Sequence, residues 1–251
     1  MDSKERFSDR VDVYAKYRPT YPQSAIDYLY ETVRFTPQSE IADVGAGTGI
    51  FSELLLNRGS KVVALEPNEA MRNAAVARLG GDGRFQAVNG SAEVTGLADQ
   101  SVDYIVCAQS FHWFDRARTG AEFKRILRPG GKVVLIWNTR LTEGTPFREQ
   151  YEQLILTYGT DYKTVSQKNI LPEDLAAFFH NGDMQAARFA NDQRLDFEGM
   201  IGRLTSSSYI PMPGAPGYEA MMADLRRLYD QYQENGCVTF EYETELYWGS
   251  L

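Results

Sequence analysis

The stretch Asp43-Val-Gly-Ala-Gly-Thr-Gly49 decides the fold. It ends the short apolar run Ile41 to Val44 and opens a segment in which Ile50, Phe51, Leu54 and Leu55 share one helical face. A strand, a glycine turn and a helix in that order place a ligand at the turn, because glycine allows a tight bend and lets a ligand approach the backbone. A plain strand-to-helix turn would look the same, so the neighbouring segments must arbitrate.

Working outward, Lys61 to Leu65 reads as a buried strand and Asn68 to Leu79 as a helix. Arg84 to Val88 and Val102 to Ala108 read as further strands. A helix marked by Phe123, Ile126 and Leu127 stops at the breaker cluster Arg128-Pro-Gly-Gly131, and Lys132 to Trp137 is the next strand. Strands separated by helices predict an α/β fold, a doubly wound parallel sheet covered on both faces.

The second half has a different texture. Residues 139–183 carry helical patterns around Phe147 to Tyr158 and Pro172 to Phe179, and read as an insertion over the strand ends. Gln185 to Phe197 is strand-like, with Ala187, Phe189, Leu195 and Phe197 on one parity. After the loop Ile210 to Gly217, Met221, Met222, Leu225, Leu228, Tyr229 and Tyr232 keep helical spacing. Val238, Phe240, Tyr242 and Leu246 alternate with polar residues, the pattern of a half-exposed strand. The two late strands predict an antiparallel addition at the sheet edge. The whole chain, 1–251, is expected to be one domain, with its binding core at 36–138.

Glu66 ends the second strand, 21 residues after Gly45. In a doubly wound sheet this sets a carboxylate beside the glycine loop, where it can accept hydrogen bonds from ribose hydroxyls. A nicotinamide dinucleotide prefers G-x-G-x-x-G, with a helix N-terminus facing its pyrophosphate. Here the spacing is G-x-G-x-G, with Ile50 at the site of the later glycine, and a cofactor without phosphates does not need that anion site.

Composition narrows the partners. Apolar residues make up 43% and charged residues 24%, enough for a sizeable core. The formal charge of −8 argues against general nucleic-acid or anionic-membrane binding, where affinity comes from neutralising phosphates. The longest strongly apolar run, Val133 to Trp137, is far short of the about 20 residues of a membrane span. The charged start MDSKERFSDR has no apolar signal core. Two widely spaced cysteines, Cys107 and Cys237, form no disulfide framework, and a cytoplasmic protein is expected. No clustered Cys/His set suggests a metal.

Five segments occur in order: Asp43 to Gly49, Val62-Val-Ala-Leu-Glu-Pro67, Gly90-Ser-Ala-Glu93, Asp103-Tyr-Ile-Val-Cys-Ala-Gln109 and Leu127-Arg-Pro-Gly-Gly-Lys132. Together they resemble class I S-adenosylmethionine-dependent methyltransferases, over roughly residues 36–138. Tyr14-Ala-Lys-Tyr-Arg-Pro-Thr-Tyr-Pro22 and Gln109-Ser-Phe-His-Trp-Phe-Asp115 further resemble the trans-aconitate-methyltransferase-like group of small-molecule enzymes. The resemblance implies a Rossmann-like, seven-stranded, mostly parallel sheet with an antiparallel C-terminal strand, and S-adenosylmethionine as cofactor. It implies that Gly45, Ala46, Gly47 and Gly49 support the methionine and ribose part, with Asp43 ordering water or the amino group. Glu66 would hold the ribose diol, with Pro67 and Met71 near the adenine. Ser91, Ala92 and Glu93 would line the adenine edge. Many relatives carry Asp where this chain has Ser91, so the resemblance implies that the adenine amino contact is weakened or passes to Glu93 or to a backbone carbonyl. Gln109 would lie below the sulfonium.

Arg18 is expected to pair with the cofactor carboxylate or an acidic acceptor, since a forked guanidinium suits a carboxylate. A surface arginine stacked on tyrosines is the plainer alternative. His112 follows Gln109 at the carboxyl end of the fourth strand, where open α/β sheets place ligands. It is the candidate base if the acceptor is a hydroxyl, and an unneeded one if it is a carboxylate. Trp113, Ser208 and Tyr209 are the candidate acceptor-side residues, although Ser206 to Tyr209 also suits an ordinary turn. The function these signs favour is methyl transfer to a small molecule, with a carboxylic acid as one acceptor class. A nucleotide-binding oxidoreductase and a non-catalytic cofactor-binding module are the alternatives.

Overall fold

The computed structural model describes residues 10–162 and 170–251. Its first sheet strands are β1 (Glu40–Val44), β2 (Lys61–Leu65), β3 (Phe85–Val88), β4 (Val102–Ala108) and β5 (Leu127–Arg140). Later come β6 (Gln185–Leu195) and β7 (Val238–Gly249). They form one seven-stranded sheet in the order β3-β2-β1-β4-β5-β7-β6. Strands β1 to β5 pair parallel, while β7 runs antiparallel between β5 and β6. The order reverses beside β1, so the crevice above β1 and β4 is a topological switch point.

The helices preceding and within the parallel half are α1 (Val11–Tyr17), α2 (Gln23–Tyr28), α3 (Ile50–Asn57), α4 (Glu69–Leu79) and α5 (Arg116–Ile126). Short polar side chains set the starts of α4 and α5. Asn68 accepts from the Met71 amide at 2.9 Å, and Asp115 accepts from the amides of Ala117 and Arg118 at 3.1 Å each. Strand residues alternate between two apolar layers. Val106, Val134 and Ile136 face Ile26, Leu29 and Leu55. Ile105, Cys107, Leu135 and Trp137 face Phe123 and Ile126. Each such aliphatic side chain contributes roughly 1.5–3 kcal/mol on burial, which fixes the strand register against a one-residue slip.

The remaining helices are α6 (Pro146–Tyr158), α7 (Pro172–Phe178), α8 (Phe197–Thr205) and α9 (Tyr218–Tyr232). The segment read as one insertion divides. Helix α6 joins α8, α9 and β7 in a third apolar cluster around Tyr151, Met200, Leu225 and Tyr242. Leu175 and Phe179, in and just after α7, pack instead into the layer beneath α5. Residues 163–169 of that insertion lie outside the described residues.

One strand boundary needs correction. The parity of Phe197 with Leu195 suggested a strand continuing through it, but β6 ends at Leu195. Asp196 accepts from the Gly199 amide at 2.7 Å and starts α8 at Phe197. Phe197, Met200, Ile201 and Leu204 have helical spacing, and the cap decides between the two periods. No helix among the described residues is long and apolar enough to cross a membrane.

Candidate active site

The loop after β1 turns back on the end of β2. The amides of Gly45 and Ala46 both donate to the Leu65 carbonyl, at 2.8 and 3.1 Å. Gly45 has a φ of +72°, and a Cβ there would lie 2.5 Å from the Ser110 Cβ, so only glycine fits. Gly47 also has positive φ, but a Cβ built on it meets nothing within 4 Å. The loop is closed against the protein at Gly45 and open to a cavity at Gly47.

Glu66 is fixed at the end of β2 by two backbone amides. One oxygen accepts from Gly47 at 2.9 Å and the other from Asn68 at 2.9 Å. Each carboxylate oxygen can accept a further bond, so the pair is oriented without being saturated. Burial raises the Glu66 carboxyl above its ordinary range, and the two amides draw it back. Beneath the loop lies Asp43, fully buried, one oxygen accepting from the Ser52 hydroxyl at 2.6 Å. Its other oxygen has no partner. Burial, with Glu66 adding like charge, pushes Asp43 up to about 7.

These groups border a cavity of about 270 Å³ above β1 and β4. Arg18, Gly45, Ala46, Gly47, Glu66, Pro67, Met71, Ser91, Ala92, Glu93, Gln109, His112, Trp113, Ser208 and Tyr209 all line it. Glu93, half-buried, also accepts from the Asp115 amide at 3.1 Å, which ties the cavity wall to the start of α5. Two residues grouped with these from the sequence do not line the cavity. Asp43 sits behind the loop. Gly49 faces α4, where a Cβ would come within 2.8 Å of Leu79 Cδ1, so its small size serves helix packing.

The other end is cationic. Arg18 follows α1, stacks over the Tyr14 ring at 4.8 Å and donates to the Ser206 carbonyl at 3.1 Å. Its Nε is buried without a partner. Burial, followed by repulsion from Arg203, lowers its pKa. The tyrosine stack of the plainer alternative is present, and the side chain also lines the cavity. Gln109 turns the chain after β4 with a φ of +59°, a strained value for a side-chain-bearing residue. Its amide nitrogen donates to the Asn138 carbonyl at 3.2 Å. His112 follows in a short 3₁₀ turn, Phe111–Trp113. Burial, reinforced by Arg18, pushes its pKa down to about 4. His180 lies in an exposed turn remote from the cavity and hydrogen-bonds Asn181.

Sequence reasoning missed Asn138, Arg140, Tyr162 and Arg203, which also line the cavity. Asn138 donates to the Thr20 carbonyl at 3.1 Å, pinning the N-terminal segment across β5. Arg140 pairs with Glu152 of α6. Arg203 is buried in α8 and donates to the Tyr242 hydroxyl at 2.8 Å and the Ser207 hydroxyl at 3.2 Å. The available signal was the Asp196 cap followed by helical spacing, which would have put Arg203 on a helix and not in a turn. Among the described residues, no cluster of three or more His, Cys, Asp or Glu side chains could hold a metal ion.

Residues 42–135 match the model of a methyltransferase domain family. An uncharacterized methyltransferase of Mycobacterium tuberculosis is 37% identical over 172 residues, 68% of this chain and 66% of that protein. The chain thus spans slightly under two thirds of that relative's length. A candidate methyltransferase of Dictyostelium discoideum is 31% identical, over 81% of this chain and 77% of its own length. A solved structure from Anaeromyxobacter dehalogenans, a candidate type II methyltransferase, superposes with a TM-score of 0.68 at 24% identity, covering 93% of this chain and 98% of that one. The chain belongs to the class I S-adenosylmethionine-dependent methyltransferases. That membership removes the oxidoreductase alternative.

Proposed function

We propose that this chain transfers the methyl group of S-adenosylmethionine to a small acceptor bearing a carboxylate. The observation that carries the acceptor class is Arg18. Its side chain is half-buried in the cavity wall, and among the described residues it forms no ion pair. A partly desolvated cation with no counter-charge is complemented by an anionic ligand. The chain's overall charge of −8 favours a small acceptor over a nucleic acid. Two free cysteines suit a reducing, cytosolic setting.

The residues present fit the cofactor. The open space above Gly47 accommodates an approaching ligand, and Glu66 keeps lone pairs for a diol. Met71, Ala92 and Pro67 offer apolar surface for a base, with Ser91 and Glu93 at its edge. When bound, S-adenosylmethionine supplies a methyl carbon on a positive sulfur, and that sulfur leaves with the C–S bonding pair. The protein's task is alignment and exclusion of water. Arg18 holds the acceptor anion, and Trp113, Ser208 and Tyr209 shape the wall beside it. A carboxylate attacks already ionised, so no proton has to be moved.

The test is a turnover screen of small carboxylic acids, phenols and amines, read by formation of S-adenosylhomocysteine. Methylation of carboxylic acids, lost in their amide analogues, supports the reading. Turnover with phenols or amines alone overturns it, and none with any acceptor favours a non-catalytic binding module.

A further inference from the structure

His112 is placed where a catalytic base would be expected, yet its surroundings give it the opposite polarity. Trp137, on β5, is 4% exposed, and its indole Nε1–H points at His112 Nδ1, 3.4 Å away. An indole nitrogen can only donate, so Nδ1 must be the nitrogen that accepts. In a neutral imidazole the hydrogen then resides on Nε2. That is the only side-chain hydrogen bond His112 makes among the described residues. His112 lines the cavity, and with Nδ1 engaged by Trp137, Nε2 is the ring nitrogen left for a ligand there. Among the described residues Arg18 is the one charged group that acts on the ring, and a cation beside it opposes protonation.

We infer that His112 is a fixed hydrogen-bond donor to the acceptor, with Trp137 as the positioning residue that sets its tautomer, and that it does not serve as a proton acceptor. Nε2–H of His112 and the guanidinium of Arg18, which also lines the cavity, are then donors at the same site. Donors of this kind hold an anionic oxygen and leave the attacking lone pair free. The inference rests on the carboxylate reading for its purpose, but the tautomer itself can be measured without any acceptor.

The experiment is imidazole-¹⁵N NMR of the intact protein with S-adenosylhomocysteine bound. The chain has only two histidines, so a His180→Gln variant assigns both rings. The expected spectrum shows His112 with hydrogen on Nε2 and bare Nδ1, unchanged from about pH 5.5 to 8.5. Trp137→Phe is expected to mix the tautomers and to raise the acceptor KM roughly 3–10-fold, the scale of one lost hydrogen bond. His112→Gln keeps a donor and is expected to retain turnover within about tenfold, whereas His112→Phe is not; loss of a true base would cost about 10²–10⁴-fold in both. Hydrogen on Nδ1, a ring that titrates near neutrality, or equal collapse of both His112 variants overturns the inference. If the spectrum is as expected but no carboxylate is methylated, the tautomer assignment stands and the acceptor class is what fails.

Discussion

The end of the cavity assigned to the cofactor is assembled from one stretch of chain, Gly45 to Glu93. The acceptor end is gathered from Arg18, His112, Arg140 and Arg203, which lie in four separate parts of the sequence. The first end carries carboxylates, Glu66 and Glu93. The second carries three guanidiniums. The contrast teaches that a shared ligand is served by local geometry that glycines and one strand-end acid can encode. The variable ligand is served by long-range packing of side chains on helices.

The sharpest break of this contrast is Gly47→Val. The new side chain would enter open space where the ligand is placed, and a branched residue is strained at a φ of +57°. We expect S-adenosylhomocysteine affinity to fall at least about 100-fold, while the strain costs the fold only about 1–3 kcal/mol. Calorimetry alongside thermal melting checks both. A folded variant with normal affinity would make the loop an ordinary turn.

Arg18→Ala sharpens the comparison from the other end. Removing charged hydrogen bonds should raise the acceptor KM by roughly 10–100-fold and leave the S-adenosylhomocysteine affinity within about twofold. If cofactor affinity drops and acceptor KM does not, Arg18 serves the cofactor carboxylate.

The cofactor end was readable because its signals are local. Asp43 to Gly49 and Glu66 sit at strand ends whose apolar runs announce themselves. The same locality misled over Gly49, because a motif records that a small residue is needed but not which neighbour demands it. Here Leu79 does. Arg203 was hidden because helix α8 begins inside a pattern of period two. Its importance depends on Tyr242, 39 residues away, and on Arg18, 185 residues before it. Asn138 was similarly opaque. Its partners Thr20 and Thr244 lie at opposite ends of the chain.

A smaller effect tests the buried acid. Asp43 titrates at about 7 in the folded protein, above the ordinary carboxylate value. Between about pH 4 and pH 7 the folded chain keeps a proton that the unfolded chain has released. Its contribution to stability is therefore full below about pH 4 and declines as pH rises toward 7. Asp43→Asn should flatten that part of the stability profile of the ligand-free protein, measured by denaturant melts across pH. An unchanged slope would mean that Asp43 is already ionised when buried.

The most direct test of the account is calorimetric titration of the wild-type protein with S-adenosylhomocysteine and, separately, with NAD. The predicted result is saturable one-to-one binding of S-adenosylhomocysteine, weakened by about 1–3 kcal/mol in Glu66→Ala, with no comparable heat from NAD. Tight NAD binding without S-adenosylhomocysteine binding would contradict it.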